Sequence, residues 1–414
     1  MAPSVSGVSD RGGESTGPAR NQIVDLIAAA GLARDPAVLG ALRSLPREVF
    51  VPRFWVPSPA GRSHQPPGRL RLLSVDGPDR REALGLIYQL DRALAITGGP
   101  AAEGPAGPPT STISAMGLVA SMLETMDLSP GDRVLEVGTG SGYNAALLAE
   151  LVGDPSLVTS VDIDETLILE ARDHLAASGH SGVNLICRDA YEGAAEGAPF
   201  DRIVATVGCT DLAPAWLDQL APGGFALIPL EHGGGHPLMK VTATVGGAAG
   251  RVVGPSSFVA IQGRQAGRSP WPNRRSAPPG GDRSAEDLSP ALGAALASPT
   301  GRRQTRAIGV WDLAYYVALE DRRASGLLGL ADGEGSIAQI PEDRLEWSGP
   351  HGPDLAARLL SLAGAWLDMG RPAAAAYESR FTLLDSSSEG TPLDRAEAWS
   401  IDRVDFRQHV RRPR

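Results

Sequence analysis

The sequence predicts an α/β protein: a doubly wound sheet preceded by N-terminal helices and followed by a smaller α+β C-terminal domain. Three observations carry this expectation. Between residues 114 and 261, short apolar runs alternate with helix-length segments, the pattern of a sheet with helices on both faces. The stretch VLEVGTGSGYNAALLAEL, residues 134–151, sets three glycines between a strand and a helix, which places some ligand over their backbone. Beyond residues 264–306, with eight arginines, several prolines and almost no apolar pattern, globular patterning resumes over 307–414.

Taken in order, residues 1–20 are Gly/Ser/Pro-rich and expected to be disordered. Residues 21–112 form an N-terminal, substrate-side segment. In it Asn21 caps a helix with Ile23, Leu26, Ile27 and Ala30 on one face and Gly31 as its stop. Asp35-Pro36 starts a second helix that buries Val38, Leu39, Leu42 and Leu45. Residues 57–80 read as Pro/Arg-rich loop, and GGPAAEGPAGPP at 98–109 as a flexible insert. The central domain, 113–263, is expected to hold helices 115–126, 142–152, 165–178 and 213–220. Its strands are expected at 133–137, 157–162, 183–187, 201–206 and 225–230. Residues 264–306 read as a linker. In 307–414, Asp354 is placed to cap a helix carrying Leu355, Leu359, Leu362 and Trp366, ended by Gly370 and Pro372. The sequence contains no internal repeat.

At 414 residues the chain fits two or three domains, and an apolar fraction of 42% supports a real core. A net charge of −10 argues against nucleic acid or an anionic membrane as the main partner. Lys240 is the only lysine, which reads as a coding bias toward arginine. Two cysteines cannot build a disulfide framework, and no apolar run suits a signal peptide or membrane span. A cytoplasmic protein is expected.

The glycine spacing then discriminates between ligands. A dinucleotide turn wants Gly-x-Gly-x-x-Gly, whereas here the spacing is Gly138-x-Gly140-x-Gly142 with Tyr143 at the third position. No lysine stands nearby for a phosphate loop. Glu136, just before the turn, would repel pyrophosphate but suits a cationic ligand. Asp162 closes the next strand, placed for ribose hydroxyls, and Asp189 closes the one after, placed for an adenine amino group. Three acids around a glycine turn describe a nucleoside site with a positive centre, which fits S-adenosylmethionine and not NAD. The alternative for Asp162 or Asp164 is simply to cap the following helix.

RVLEVGTGSGYNAALLAELVG, APFDRIVAT and LAPAWLDQLAPGGFALIPL, with LPREVFVP, YQLDRALAI and STISAMGLVASMLE upstream, resemble the protein-L-isoaspartate O-methyltransferase family over about residues 35–262. The resemblance implies a Rossmann-like class I methyltransferase sheet and S-adenosylmethionine as cofactor. It implies Ser114 as the active-site serine, with Ser111, Thr112 and Ile113 lining the substrate. Glu136, Gly138, Thr139, Gly140, Ser141, Gly142, Asp162, Ile163, Asp189 and Ala190 map onto the cofactor contacts. The chemistry is consistent: a carboxylate with a pKa of about 4 is already ionised at neutral pH, so its methylation needs no general base. It needs alignment and exclusion of water, and one hydroxyl can orient it. Helix capping is the plainer role for Ser114.

Met116 and Gly117 follow STISA where the family typically has proline, and the insert and the C-terminal extension are additional. These features, with AWLDMGRPAAAAYESRFTLL and AWSIDRVDF, are similar to an actinobacterial branch linked to lanthipeptide and ATP-grasp peptide (graspetide) systems. That likeness implies methylation of an aspartate in a ribosomal precursor peptide, the ester collapsing to succinimide (aspartimide) and isoaspartate, with peptide-maturation enzymes as partners. The alternatives are repair of isoaspartyl residues in damaged proteins, a small-molecule methyltransferase, and a non-catalytic S-adenosylmethionine-binding module.

No metal site is expected, since three glycines separate His232 from His236. Cys187 and Cys209 read as buried small hydrophobes. Trp311, Tyr315 and Tyr316 read as core of the C-terminal domain.

Overall fold

A computed structural model describes residues 16–57, 70–97, 109–271, 284–297, 308–341, 344–384 and 398–411. The expectations for residues 1–15, for 98–108 of the insert and for 272–283 and 298–307 of the linker lie outside the described residues.

Five parallel strands lie side by side in the order Asn184–Cys187, Val158–Asp162, Val134–Val137, Phe200–Ala205, Leu220–Pro229. Every residue of Val134–Val137 is buried, as a strand covered by helices on both faces requires. Chain order reverses at Val134–Val137, the switch point where an open α/β sheet leaves a crevice at its strand ends. The helices Tyr143–Val152, Glu165–Ala177 and Pro214–Asp218 follow three of these strands. The expected elements of this region are present, with ends moved by a few residues.

The sheet does not stop there. The hairpin Leu238–Thr244 and Gly247–Gly254 adds antiparallel to Leu220–Pro229. Glu378–Leu383, Phe406–Arg411 and Ala398–Asp402 then continue it to ten strands. The sheet therefore crosses the boundary expected at 264–306. The rest of the C-terminal region is an α+β unit. Its four-stranded antiparallel sheet is Ser284–Asp287, Arg344–Ser348, Ile337–Gln339 and Gly329–Ala331, with helices Ile308–Glu320 and Gly352–Asp368. One continuous core joins Leu135, Trp216, Leu313, Trp366, Phe381 and Val410. A second core, on the sheet face of the N-terminal helices, joins Ile27, Phe50, Met116, Leu148 and Phe225.

Several local expectations are corrected. The first helix is Gly17–Ala29, because Pro18 is preorganised for a first turn, so Asn21 lies inside it. Its buried residues are Ile23, Val24 and Ile27, while Leu26 is 41% exposed. Asp35 does cap the second helix, accepting from the Ala37 N–H at 2.8 Å. The stretch read as loop over 57–80 contains the strand Leu70–Ser74, paired with Arg53–Pro57. The stretch read as linker contains Ser284–Asp287 and the helix Pro290–Leu296, capped by Ser289. Asp354 lies in the first turn of Gly352–Asp368 rather than at its cap, but Leu355, Leu359, Leu362 and Trp366 are buried on one face as expected. Among the described residues, no helix is long and apolar enough to cross a membrane.

Candidate active site

At the carboxyl ends of the parallel strands the chain folds around a cleft of about 950 Å³, counting space open to solvent. Ser111, Thr112, Ile113 and Ser114 line it together with Glu136, Gly138, Thr139, Gly140 and Ser141 of the strand and glycine loop and with Asp162, Ile163, Asp189 and Ala190 from the ends of the next two strands. Gly142 alone of the predicted residues does not line it. It sits at the N-cap of Tyr143–Val152, and its place for a Cβ lies 3.2 Å from the Ala171 Cβ.

The glycines are demanded by backbone geometry. Gly138, Gly140 and Gly142 have φ of 97°, 51° and 81°, a region costly for residues with a Cβ. At Gly138 a Cβ would also lie 2.9 Å from Thr206 Oγ1 and Val207 Cγ1. The loop amides and the acids then lock together. Gly140 N–H donates to Asp162 Oδ2 at 3.0 Å, and Asp164 N–H to Asp162 Oδ1 at 3.1 Å. Asp164, not Asp162, caps the following helix, accepting from Thr166 and Leu167. Burial raises the Asp162 carboxyl above its ordinary pKa.

Glu136 is fully buried. It accepts from Asn144 Nδ2 at 2.8 Å and from Ser160 Oγ at 2.6 Å. Burial outweighs both bonds and pushes its carboxyl from 4.5 to about 7. Asp189 is more engaged than its sequence position suggests. Oδ1 accepts from Tyr191 N–H at 3.0 Å and Oδ2 from Arg264 N–H at 2.7 Å.

Ser114 is half-buried and is not a helix cap: the helix is Met116–Met126, with Ala115 at its N-cap position. Its backbone is held from below by Arg47, wholly buried, which donates to Ser114 O at 2.6 Å and to Ile87 O at 3.0 Å. Burial lowers the Arg47 guanidinium to about 10. None of the described lining residues is lysine, arginine or histidine, so hydroxyls, backbone amides and the side-chain amides of Asn144 and Gln262 are what can orient an anion here.

Sequence reasoning missed part of the wall. Thr206, Val207 and residues 258–262 line it, the latter joined to Gly208 through Gly208 N–H to Val259 O and Ile261 N–H to Gly208 O. One signal was available in Gly263, whose φ is 74° and whose place for a Cβ lies 2.4 Å from Asp189 Oδ2. Arg47, the one cation within the mostly apolar run LPREVFVP, was another. Cys187, expected to be buried, is exposed, because the strand Asn184–Cys187 lies at the sheet edge; Cys209 is buried. His232 packs against Trp271 and Tyr315, its Nδ1 3.0 Å from Leu230 O. Tyr315 and Tyr316 are buried and Trp311 is half-buried.

A family model described as Protein-L-isoaspartate(D-aspartate) O-methyltransferase matches residues 92–266. The protein-L-isoaspartate O-methyltransferase of Ignicoccus hospitalis is 31% identical over 243 residues, covering 58% of this chain and 96% of the relative. That of Koribacter versatilis is 39% identical over 241 residues, covering 57% and 87%. A solved protein-L-isoaspartate O-methyltransferase aligns with 87% of this chain and 96% of its own, at 21% identity and a TM-score of 0.48.

Proposed function

The chain belongs to the protein-L-isoaspartate O-methyltransferase family and is an S-adenosylmethionine-dependent methyltransferase; on that premise we propose that it methylates the free α-carboxylate of isoaspartyl residues in polypeptides. The observation that carries this is the half-buried Ser114, free of any capping duty and fixed through its own carbonyl by Arg47, in a cleft that also holds Glu136 and Asp162.

When bound, S-adenosylmethionine supplies an activated methyl group, transferred to a carboxylate oxygen as the methyl–sulfur bond breaks. Gly138 and Gly140, which carry no Cβ and line the cleft, let backbone approach that group closely. Asp162 would accept from its ribose hydroxyls, Asp189 from its adenine amino group, and Ile163 and Ala190 would flank the base. Glu136 carries the carboxylate that answers its positive charge. Ser111, Thr112 and Ile113 shape the substrate side. The Ser114 hydroxyl donates to the incoming carboxylate and aligns it. No residue is asked to remove a proton, because the nucleophile is ionised at neutral pH.

A second reading, methylation of an aspartate in a dedicated ribosomal peptide with other maturation enzymes as partners, is favoured by the extension. Arg403 donates to Thr210 O at 2.7 Å and Gln265 O accepts from Thr210 Oγ1 at 3.0 Å, so the C-terminal strands grip the loop that continues from the cleft wall. A cytoplasmic site of action fits the two free cysteines.

The test offers an isoaspartyl peptide and an aspartate-bearing precursor peptide and seeks a gain of about 14 Da by mass spectrometry, the mass of one methylene. Turnover of the first supports isoaspartyl methylation; turnover of the second alone supports the dedicated-peptide reading. Ser114→Ala should lower kcat about a hundredfold with S-adenosylmethionine affinity unchanged. Undiminished turnover would remove Ser114 from the mechanism, and no methylation by the unaltered chain would overturn the carboxylate assignment.

A further inference from the structure

The antiparallel extension of the large sheet has one buried face and one exposed face. Met239, Val241, Ala248, Val252, Phe381 and Val410 point into the core. On the other face the register sets Lys240 opposite Arg251, Arg251 opposite Glu378, and Glu378 opposite Arg411. Arg380 lies on the same face, opposite Ala249. Arg251, Arg380 and Arg411 are exposed and Lys240 is half-buried, its ammonium 3.7 Å from the centre of the Phe225 ring.

Two features set this face apart from an ordinary solvated one. Across Lys240, Arg251, Arg380 and Arg411 four cations stand against the one carboxylate of Glu378; His409 lies opposite Arg380, and Arg407 and Asp402, further along the same face, pair with each other, so the excess of three remains in a chain of net charge −10. Among the described residues, none of the four takes part in an ion pair. Lys240 and Arg251 are like charges directly opposite one another, an arrangement that costs stability unless an anion lies between them. Burial, then Arg202 and Arg251, hold the Lys240 ammonium below its ordinary range, against a smaller opposing effect of the Asp127 carboxylate. Lys240 points to the same face as Leu238, which shares its core with Met116 and Val119 of the helix that follows Ser114. The cationic surface and Ser114 therefore belong to one side of the sheet.

We infer that this face docks an acidic segment of the polypeptide substrate, apart from the residue that is methylated; this rests on the substrate being a polypeptide. Charge complementarity selects the occupant. At about 4.8 Å between strands the row from Lys240 to Arg411 spans about 14 Å, which matches three carboxylates spaced about 7 Å apart along one side of an extended chain. A long polyanion would run past the patch onto a surface of the opposite preference.

The probe is a fluorescein-labelled Glu/Ser peptide without aspartate, which cannot itself be a methyl acceptor, followed by fluorescence anisotropy on the full chain. Affinity should fall at least about tenfold in Arg251→Glu/Arg380→Glu and in about 0.5 M NaCl. Arg251→Gln/Arg380→Gln should fall between, with all three proteins unfolding cooperatively in denaturant. With an isoaspartyl substrate, a Glu-rich extension should lower KM for the unaltered chain and not for the variants, with kcat unchanged. Equal peptide binding by the charge-reversed variant would overturn the inference. So would tighter salt-sensitive binding of a length-matched oligothymidine, or of phosphatidylserine vesicles, through the same arginines. Because the anisotropy probe needs no turnover, absence of methyl transfer would count against the proposed reaction and leave the docking result to stand by itself.

Discussion

Replacing Glu136 by glutamine isolates the electrostatic character of the site. The side chain is fully buried and its carboxyl is pushed from 4.5 to about 7, chiefly by burial. Glutamine can keep the geometry: its oxygen accepts from Asn144 Nδ2 and its amide donates to Ser160 Oγ, which then donates to Thr139 Oγ1, 2.7 Å away. The folded pKa is the raised one, so between pH 4.5 and about 7 the folded chain holds a proton that the unfolded chain has released. Folding stability is therefore present at low pH and lost as pH rises through that window, by about 1.4 kcal/mol per unit and about 3 kcal/mol in all. Glutamine has no such loss.

In urea unfolding without cofactor, the stability of Glu136→Gln relative to the unaltered chain should improve by roughly 2–3 kcal/mol between about pH 5 and about pH 8. Taking this difference cancels the other titrating groups, Asp211 among them, whose carboxyl burial raises to about 6. A cationic ligand favours the ionised form, so S-adenosylmethionine should bind the unaltered chain more tightly as pH passes 7 and release a proton near that pH. Calorimetry in two buffers of different ionisation enthalpy reads that proton. The variant should bind more weakly at about pH 8 and show neither effect. A pH-independent stability difference, or undiminished affinity in the variant, would refute the reasoning.

Gly138→Ala places a Cβ 2.9 Å from Thr206 Oγ1 and Val207 Cγ1 at a φ of 97°; it should cost roughly 2–4 kcal/mol in denaturant unfolding and weaken cofactor binding, and an unchanged midpoint would contradict this. Arg403→Met leaves the carbonyl oxygens of Thr210 and Glu231 and Gln408 Oε1 without their donor beside the buried Asp211 carboxylate. It should cost about 3–5 kcal/mol, and a loss under about 1 kcal/mol would show the network to be dispensable. In thiol titration of the native protein with a chromogenic disulfide, exposed Cys187 should react at once. Buried Cys209, whose thiol burial raises well above its ordinary value, should react only on unfolding.

What was legible in the sequence was local. The wholly apolar run Val134–Val137, the alternating strand and helix lengths, and a glycine turn with acids at Glu136, Asp162 and Asp189 all act through neighbours a few residues away. Thirteen of the fourteen predicted site residues line one cleft. Gly142 departs because its φ serves helix entry rather than the ligand face. Asp35 and Asp164 are caps by the same short-range logic.

The sequence by itself determined the glycine loop, the parallel strands that aim it and the exclusion of a phosphate loop, because turn chemistry and hydrophobic period are written in consecutive residues. Only the tertiary structure decided that the C-terminal strands complete the central sheet, that residues 258–262 wall the cleft, and that Arg47 and Arg403 are buried. Phe381 stands across from Ala248 and Arg403 reaches Thr210, and such partners leave no mark in either local stretch. Each arginine is stabilised inside only because carbonyl oxygens from elements distant along the chain converge on it, a complementarity that arises when the chain folds.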